Sequence, residues 1–312
     1  MHMLAAEDVR SALDFPTLVE ALRAIFRGGA VSPVRHHHEI EKTGEPSATL
    51  LLMPAWTEAY TGIKAVTVTP GNASRGLPAV QGSYLLLDGP TGAPAALIDG
   101  PMLTVRRTAA ASALAADYLA RKDAGHLLMV GTGALAPHLI EAHSALRPIE
   151  QVTIWGRNPE KAEKLAGELD GKFGPKVGFS AELQPAAAAA DVISCATLAT
   201  EPLILGEWLR PGQQLDLVGA FRPDMRETDD ACIRAARVYV DTRGGATVEA
   251  GDIVQAIDSG ALSAEAIVGD FFELTQGKAE GRQSDEEITL FKSVGSALED
   301  LAGAIQAVER AA

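Results

Sequence analysis

The sequence predicts an α/β protein in which a doubly wound parallel sheet is joined to a second region of α+β type. From about residue 119 to 290, short apolar segments alternate with helical segments, which is typical of a parallel sheet covered on both faces. From about 31 to 105, strand-like segments are separated by tight glycine and proline turns, which indicates an antiparallel or mixed sheet. We therefore expect two domains, one of residues 1–118 with 291–312 and one of residues 119–290.

The individual elements follow from apolar periodicity and from turn residues. In the α/β region we expect strands at 126–130, 151–155, 176–179, 191–195, 214–218 and 237–241, and helices at 134–146, 159–170, 181–189 and 228–235. Elsewhere we expect strands near 49–54, 62–68, 82–88 and 95–99, and helices at 5–28 and 103–120. A last helix is predicted at 285–310, because Ile288, Phe291, Val294, Leu298 and Leu301 recur at helical spacing.

Charge and composition exclude several classes of protein. The chain has 312 residues and a net charge of −14, which argues against nucleic acid, whose phosphates attract basic surfaces. It lacks an apolar run of the roughly 18–20 residues that span a membrane, and its N-terminus does not resemble a signal peptide. Cys195 and Cys232 have no metal-binding spacing, so we expect a reduced, cytoplasmic protein without a metal site.

A glycine-rich loop follows the first strand of the α/β region. The apolar segment 127–130 leads into Gly131-Thr132-Gly133-Ala134-Leu135-Ala136, and a helix comes next. The first glycine permits a tight turn, the second lets the backbone approach a pyrophosphate, and the small third residue lets helix and strand pack closely. The helix N-terminus then offers free N–H groups to phosphates. A second strand follows in the correct order, so the loop predicts a Rossmann-type dinucleotide site rather than a simple tight turn.

The residue after the second strand indicates which dinucleotide binds. Sites for NAD usually carry a carboxylate here, which accepts hydrogen bonds from the ribose 2′-hydroxyl. This chain has Gly156-Arg157-Asn158 instead, and the forked donors of arginine suit a 2′-phosphate. We therefore expect NADPH to be preferred, with NADH as the alternative if Arg157 is merely solvated.

Three cations stand in apolar surroundings in the other region. Lys64 lies within an apolar strand, Arg107 opens an alanine-rich stretch, and Arg35 follows the segment Val31-Ser32-Pro33-Val34. Taken singly, each is more often a surface charge than a ligand. The run His36-His37-His38 does not predict a metal site, because consecutive strand residues point to opposite faces. We expect it in an exposed loop or a strand edge.

The ordered motifs resemble the ornithine cyclodeaminase/mu-crystallin family along nearly the whole chain. Besides the glycine loop, the matching segments include Met53-Pro54-Ala55, Pro70-Gly71-Asn72, Arg107-Thr108-Ala109-Ala110, Thr197-Leu198-Ala199, Val218-Gly219-Ala220, Arg222-Pro223-Asp224, Tyr239-Val240-Asp241 and Phe291-Lys292-Ser293-Val294-Gly295. The resemblance implies a homodimer. It also implies a Rossmann domain in the middle of the chain, and a substrate-binding and dimerisation domain made from the N-terminal region and the C-terminal helix.

The same resemblance assigns site residues. Arg35, Lys64 and Arg107 match the positions that hold the substrate carboxylate in this family. Three donors would orient that carboxylate through charge-assisted bonds and place the adjacent imine carbon for reaction. The expected cofactor-binding residues are Thr108, Gly131, Thr132, Gly133, Ala134, Arg157, Asn158, Thr197, Leu198, Val218 and Ser293.

The expected reaction rests on one departure from the family pattern. Family members include cyclodeaminases, which carry an aspartate for proton transfer at the position where this chain has Phe221. Phe221 cannot move a proton, and it makes that end of the pocket apolar. We therefore expect an NADPH-dependent reductase of a small cyclic imino acid, with Δ1-pyrroline-2-carboxylate giving L-proline or the six-membered Δ1-piperideine-2-carboxylate giving L-pipecolate. The alternatives are ornithine cyclodeamination, alanine dehydrogenation, and a non-enzymatic role in binding NADPH and a small ligand. Asp224 is as well explained by a turn or cap as by proton donation.

Overall fold

The structure is a computed structural model that describes residues 1–311, with the side chain of residue 73 left out. The chain forms two units, Met1–Arg107 with Ser296–Ala312, and Thr108–Gly295. Helix α3, Gly100–Leu119, is continuous through the first of these divisions. The sequence placed the divisions at 118/119 and 290/291.

The first unit contains a mixed sheet of six strands. They are β1 (His2–Leu4), β2 (His36–Ile40), β3 (Ala48–Trp56), β4 (Tyr60–Val68), β5 (Val80–Asp88) and β6 (Pro94–Asp99). Their order is β1-β6-β5-β4-β3-β2. Neighbours from β2 to β6 are antiparallel, whereas β1 is parallel to β6. The short strands and tight turns of the sequence therefore form the mixed sheet that was expected.

The helices of the first unit lie at both ends of the chain. They are α1 (Ala6–Ala12), α2 (Phe15–Arg27) and α11 (Ala297–Ala311), with α11 packed against α2, β3 and β4. The predicted single helix at 5–28 is wrong, because Leu13 and Asp14 separate two helices. The Asp14 side chain accepts a hydrogen bond from the Thr17 N–H at 3.1 Å and so caps α2. Pro16, in the first turn of α2, suits a helix start rather than a helix interior.

The second unit contains a parallel sheet of eight strands, as the α/β pattern predicted. They are β7 (His126–Val130), β8 (Gln151–Trp155), β9 (Lys176–Phe179), β10 (Val192–Cys195), β11 (Gln214–Leu217), β12 (Arg237–Val240), β13 (Gly269–Asp270) and β14 (Thr289–Lys292). Their order is β13-β12-β14-β11-β10-β7-β8-β9. The connecting helices are α4 (Ala136–Leu146), α5 (Pro159–Leu169), α6 (Leu183–Ala189), α7 (Asp230–Ala235), α8 (Arg243–Glu249), α9 (Gly251–Asp258) and α10 (Phe271–Thr275).

The predicted helix at 285–310 is wrong in its first half. Strand β14 pairs with β11 on one side and β12 on the other, and all four of its residues are buried. A strand covered on both faces has no polar side, so its apolar residues cannot be told from one turn of a buried helix. Gly295 then adopts a φ of +86°, a left-handed conformation that separates the strand from α11.

The strand order identifies where a ligand would bind in the second unit. The chain runs outward from β7 to β9 and then returns to place β10 on the other side of β7. Ligands of open parallel sheets bind beyond the carboxyl ends of the strands at such a reversal. The loops after β7 and β10 therefore mark the expected site. Among the described residues, the helices include none that is both long and apolar enough to cross a membrane.

Candidate active site

The loop after β7 has the geometry of a phosphate-binding turn. Gly131 has a φ of +123°, and a Cβ there would lie 2.7 Å from the carbonyl oxygen of Ala196, so the fold itself requires this glycine. A Cβ on Gly133 would meet no atom within 4 Å. Protein packing therefore does not explain Gly133, whereas close approach of a pyrophosphate does. Helix α4 begins beside this loop without a side-chain cap, which leaves backbone donors for an anion.

A pocket of about 270 Å³ lies against this loop. Seven of the predicted cofactor residues line it: Gly131, Thr132, Gly133, Arg157, Asn158, Thr197 and Leu198. The lining does not include Ala134, Thr108, Val218 or Ser293. Val218 and Ser293 are buried at the carboxyl ends of β11 and β14, where Ser293 N–H donates to Leu217 at 3.1 Å. Thr108 is buried in α3.

Two cations line the part of the pocket that is formed by the residues following β8. Arg157 is exposed, and Lys161 lies four residues further on in the first turn of α5. The Asn158 side-chain oxygen accepts a hydrogen bond from the Lys161 N–H at 3.1 Å, so Asn158 caps α5 as well as lining the pocket. No carboxylate is among the lining residues. The donor set therefore fits a dinucleotide.

The second candidate site lies in the first unit, around Lys64. Lys64 is on β4, is 2% exposed, and contacts the Asp300 carboxylate at 2.9 and 2.7 Å. The sequence alone favoured a surface position for this lysine, and the structure shows that this is wrong. Burial lowers the pKa of Lys64 to about 8; Asp300 opposes this shift, and the charges of Arg107 and Arg35 add to it. Lys64 is therefore largely protonated at neutral pH but close to losing its charge.

Arg107 lies in the same cluster and is also buried. Its Nε donates to Asp300 at 2.9 Å and its Nη1 donates to Glu299 at 2.6 Å. Burial by itself would lower the pKa of Arg107, but Asp300 and Glu299 raise it further above its ordinary value, so this group stays charged. The Nη2 group takes part in neither ion pair.

Asp300 holds the cluster together. Burial by itself would raise the pKa of Asp300, but Arg107 and Lys64 outweigh burial and lower it, so the carboxylate is ionised. Arg35 is half-buried, and its charge acts on Lys64. The three predicted cations are thus brought into electrostatic range of one another, and two of them are held in place by residues of α11. Such an arrangement can receive a carboxylate through donors that the acidic residues do not use.

Sequence reasoning missed the acidic residues and Lys161. Glu299 and Asp300 begin a helix, where acidic residues are expected for the helix dipole alone, so nothing marked them as partners of Lys64 or Arg107. The position of Lys161 was available from the Asn158-Pro159 pair, which predicts a helix start and puts Lys161 in its first turn. His36, His37 and His38 lie exposed on edge strand β2, as expected. Phe221 is 46% exposed.

Comparisons with known proteins show the family to which the chain belongs. The model of the ornithine cyclodeaminase/mu-crystallin family matches residues 2–312. A Δ1-pyrroline-2-carboxylate reductase of Paracoccus denitrificans is 42% identical, over 96% of this chain and 94% of that protein. The solved Δ1-pyrroline-2-carboxylate reductase of Thermococcus litoralis, in complex with NADH and L-proline, has a TM-score of 0.93 and 34% identity, covering 100% and 97% of the two chains. An archaeal alanine dehydrogenase dimer with bound NAD has a TM-score of 0.91 and 31% identity, covering 100% and 96%. The chain therefore belongs to the ornithine cyclodeaminase/mu-crystallin family.

Proposed function

We propose that this protein reduces a cyclic ketimine carboxylate with a nicotinamide cofactor, and that its substrate is Δ1-pyrroline-2-carboxylate, which becomes L-proline. The observation that carries the proposal is the buried pair Lys64 and Arg107, held by Asp300 in a chain whose relatives include reductases of this imino acid. A buried arginine whose Nη2 lies outside both of its ion pairs, next to a second buried cation, can bind a small carboxylate such as that of a five-membered cyclic imine.

Each residue of the cluster has a distinct part in this proposal. Arg107 binds one carboxylate oxygen through Nη2, while its other donors remain on Asp300 and Glu299. Lys64 contributes a second positive charge, and Arg35 a third from the half-buried edge of the cluster. When bound, the reduced dinucleotide supplies the hydride that the C=N carbon accepts. The substrate brings its own proton as the iminium form, so no residue of this chain is assigned as proton donor.

Phe221 favours reduction over cyclodeamination of ornithine. An ornithine side chain needs an acceptor for its ammonium group and a group that moves protons, and Phe221 provides neither. A substrate panel tests the proposal directly. We expect cofactor oxidation with the five-membered imine and a slower rate with Δ1-piperideine-2-carboxylate. We expect none with pyruvate and ammonia, and no proline from ornithine. Cofactor binding without turnover of either imine would refute reductase activity and favour a binding protein.

We further propose that NADPH is preferred over NADH. The support is the pair Arg157 and Lys161 in a pocket whose lining lacks a carboxylate. Replacing both by alanine should weaken NADPH binding roughly tenfold, because solvent screening reduces each exposed charge-assisted contact to a phosphate to about 0.5–1 kcal/mol. NADH binding should change little. Lys164→Ala is the matched control, because this exposed lysine lies on the same helix outside the pocket lining. Tighter binding of NADH than NADPH by the unaltered protein would refute the preference.

We also propose that the protein acts as a homodimer in the cytoplasm. The support for a dimer is the dimeric archaeal relative, and the support for a reducing compartment is that Cys195 and Cys232 are buried free thiols. Sedimentation equilibrium of the purified protein measures the mass directly. A mass that stays at 32.6 kDa at micromolar concentration would refute the dimer.

A further inference from the structure

A buried cluster of charged groups lies behind the dinucleotide pocket of the second unit. Glu227 is fully buried, and its Oε1 accepts hydrogen bonds from the Thr197 N–H at 2.7 Å and from the Thr197 hydroxyl at 2.8 Å. The Thr197 hydroxyl oxygen in turn accepts from the Ala199 N–H at 3.2 Å. Residues 196–199 line the pocket, so one buried carboxyl group holds two amides of the pocket wall.

Asp252 in turn binds the backbone of Glu227. The Asp252 Oδ1 accepts from the N–H groups of Glu227 and Thr228, both at 2.9 Å. On its other side, Asp252 Oδ2 lies 3.4 Å from the ammonium of Lys292 at the end of β14, and that ammonium also donates to the Gly219 carbonyl. The loops after β10, β11 and β14 are therefore connected by a single chain of buried polar contacts.

The close fit between Glu227 and Gly219 indicates that this arrangement is specific. A Cβ on residue 219 would lie 2.3 Å from Glu227 Oε1 and 2.4 Å from the Thr197 carbonyl oxygen. Glycine is therefore required where the Glu227 side chain passes. Burying two carboxyl groups and one ammonium costs several kcal/mol per ion, and apolar residues of similar volume often give equal or greater stability. Stability by itself thus gives no reason for this cluster, whereas support of the pocket wall does.

We propose that Glu227 is a positioning residue for the dinucleotide, acting through Thr197 to hold residues 197–199 in the conformation that lines the pocket. The proposal rests on the proposed function, because it assumes that the pocket binds a nicotinamide dinucleotide. Glu227 touches no ligand itself. Its contribution is to order the wall before binding, which lowers the entropic cost of ordering that wall on binding.

Because Glu227 is buried, the strength of its hydrogen bonds to Thr197 should depend on pH. Burial raises the pKa of Glu227 to about 7, with Asp252 adding to the rise and Lys292 opposing it. Cys195 is also close to this group, and burial raises its pKa well above the ordinary value, so it remains a neutral thiol. Ionised Glu227 makes charge-assisted bonds to Thr197, which are about twice as strong as those of the protonated carboxyl. The wall is therefore held more firmly above neutral pH than below it.

The experiment measures the dissociation constant of NADH by fluorescence between mildly acidic and mildly alkaline pH. NADH is used because the 2′-phosphate of NADPH would itself titrate at about pH 6. The unaltered protein should bind NADH about fivefold more weakly at the acidic limit. Glu227→Gln keeps an oxygen acceptor but has no charge, so its affinity should match that acidic limit at every pH. Glu227→Ala removes the acceptor and should bind at least about tenfold more weakly.

Asp216→Asn is the matched control. Asp216 is a fully buried carboxylate of the same unit, and it contacts Ser194 and His143 rather than the pocket wall. The Asp216→Asn variant should be less stable, but its NADH dissociation constant should depend on pH as that of the unaltered protein does. A Glu227→Gln profile parallel to that of the unaltered protein would overturn the positioning role, as would Glu227→Ala binding as tightly as Asp216→Asn.

A second readout separates the positioning role from the proposed function. Hydrogen exchange without cofactor should be faster at the amides of residues 197 and 199 in Glu227→Ala, and should be unchanged there in Asp216→Asn. If Glu227→Ala does not fold, the Glu227→Gln profile decides alone. Tight NADH binding by all variants would overturn only this inference, whereas absence of dinucleotide binding by the unaltered protein would overturn both proposals.

Discussion

At the scale of single residues, the side chains that matter most are those whose charge is buried. Lys64 and Arg107 are buried, and each contacts the same carboxylate of Asp300. Burial disfavours both positive charges, and Asp300 opposes this effect by raising the pKa of each group. In the proposed function, the substrate carboxylate binds Arg107 Nη2, which takes part in neither ion pair.

Replacing Arg107 by lysine tests the geometry of this site. A lysine cannot contact Glu299, Asp300 and a substrate oxygen through one planar fork, so the KM for the imino acid should rise roughly tenfold or more. Arg106→Lys is the matched control. Arg106 is the adjacent residue and is equally buried, but its Nε donates to the Leu13 carbonyl at 3.0 Å. The measurement is steady-state kinetics of both variants. Equal rises in KM for Arg107→Lys and Arg106→Lys would contradict the assignment.

The lowered pKa of Lys64 predicts how substrate binding depends on pH. The charged lysine attracts a carboxylate, so affinity should be full below about pH 8 and should fall as pH rises through that value. The measurement is the inhibition constant of pyrrole-2-carboxylate, a planar five-membered analogue whose ring nitrogen does not titrate in this range. Lys64→Arg stays charged throughout, so its profile should lack this decline. The same decline in both proteins would exclude Lys64 as its origin.

At the scale of elements, the turn between β7 and α4 forms one wall of the dinucleotide pocket. Its two glycines have different physical roles. Gly131 is required by the backbone, because of its φ of +123° and its approach to Ala196. A Cβ on Gly133 would meet no protein atom within 4 Å, so the protein itself does not require glycine there, and we expect the ligand to require it. The motif on its own does not distinguish these roles, because both positions are simply glycine in the sequence.

Alanine substitution at the two glycines should therefore affect different properties, cofactor binding at Gly133 and stability at Gly131. Gly133→Ala should leave the free energy of unfolding within about 0.5 kcal/mol, since the new methyl group meets no protein atom. It should nevertheless weaken dinucleotide binding at least tenfold, because the methyl group occupies the approach of the pyrophosphate. Gly131→Ala should cost about 1–3 kcal/mol of stability through strain. Urea unfolding and cofactor titration measure both effects, and tight cofactor binding by Gly133→Ala would contradict the assigned role.

At the scale of the whole molecule, the first unit is built from the two ends of the chain. Asp300 on α11 contacts Lys64 and Arg107, which lie 236 and 193 positions earlier. The C-terminal helix thus supplies the counter-charges for cations of β4 and α3. The ion pairs of this unit therefore join residues from both ends of the chain.

Asp300→Asn should accordingly lower the free energy of unfolding by about 3–5 kcal/mol, because it leaves two buried cations with one counter-charge. The measurement is denaturant unfolding at neutral pH. Glu309→Gln is the control, because Glu309 is exposed on the same helix and should change stability little. Equal stabilities of the two variants would show that the cluster does not depend on Asp300.

Much of the fold and part of the site could be predicted from the sequence. The parallel sheet, the glycine turn and the position of Arg157 lie within short segments whose patterns are local. The helix predicted at 285–310 failed because β14 is buried on both faces, which removes the alternation that identifies a strand. The break at Asp14 was missed because the apolar spacing of α1 and α2 continues across it, although Pro16 marks the start of α2.

The sequence by itself determined the α/β class, the dinucleotide turn and the family, because each depends on residues that are close together in the chain or on motifs in a fixed order. Only the tertiary structure decided that Lys64 is buried rather than exposed and that Asp300 pairs with both Lys64 and Arg107. It also decided that Glu299 pairs with Arg107 and that Glu227 accepts hydrogen bonds from Thr197. The physical reason is that charge burial depends on partners far apart in sequence, which local spacing does not encode.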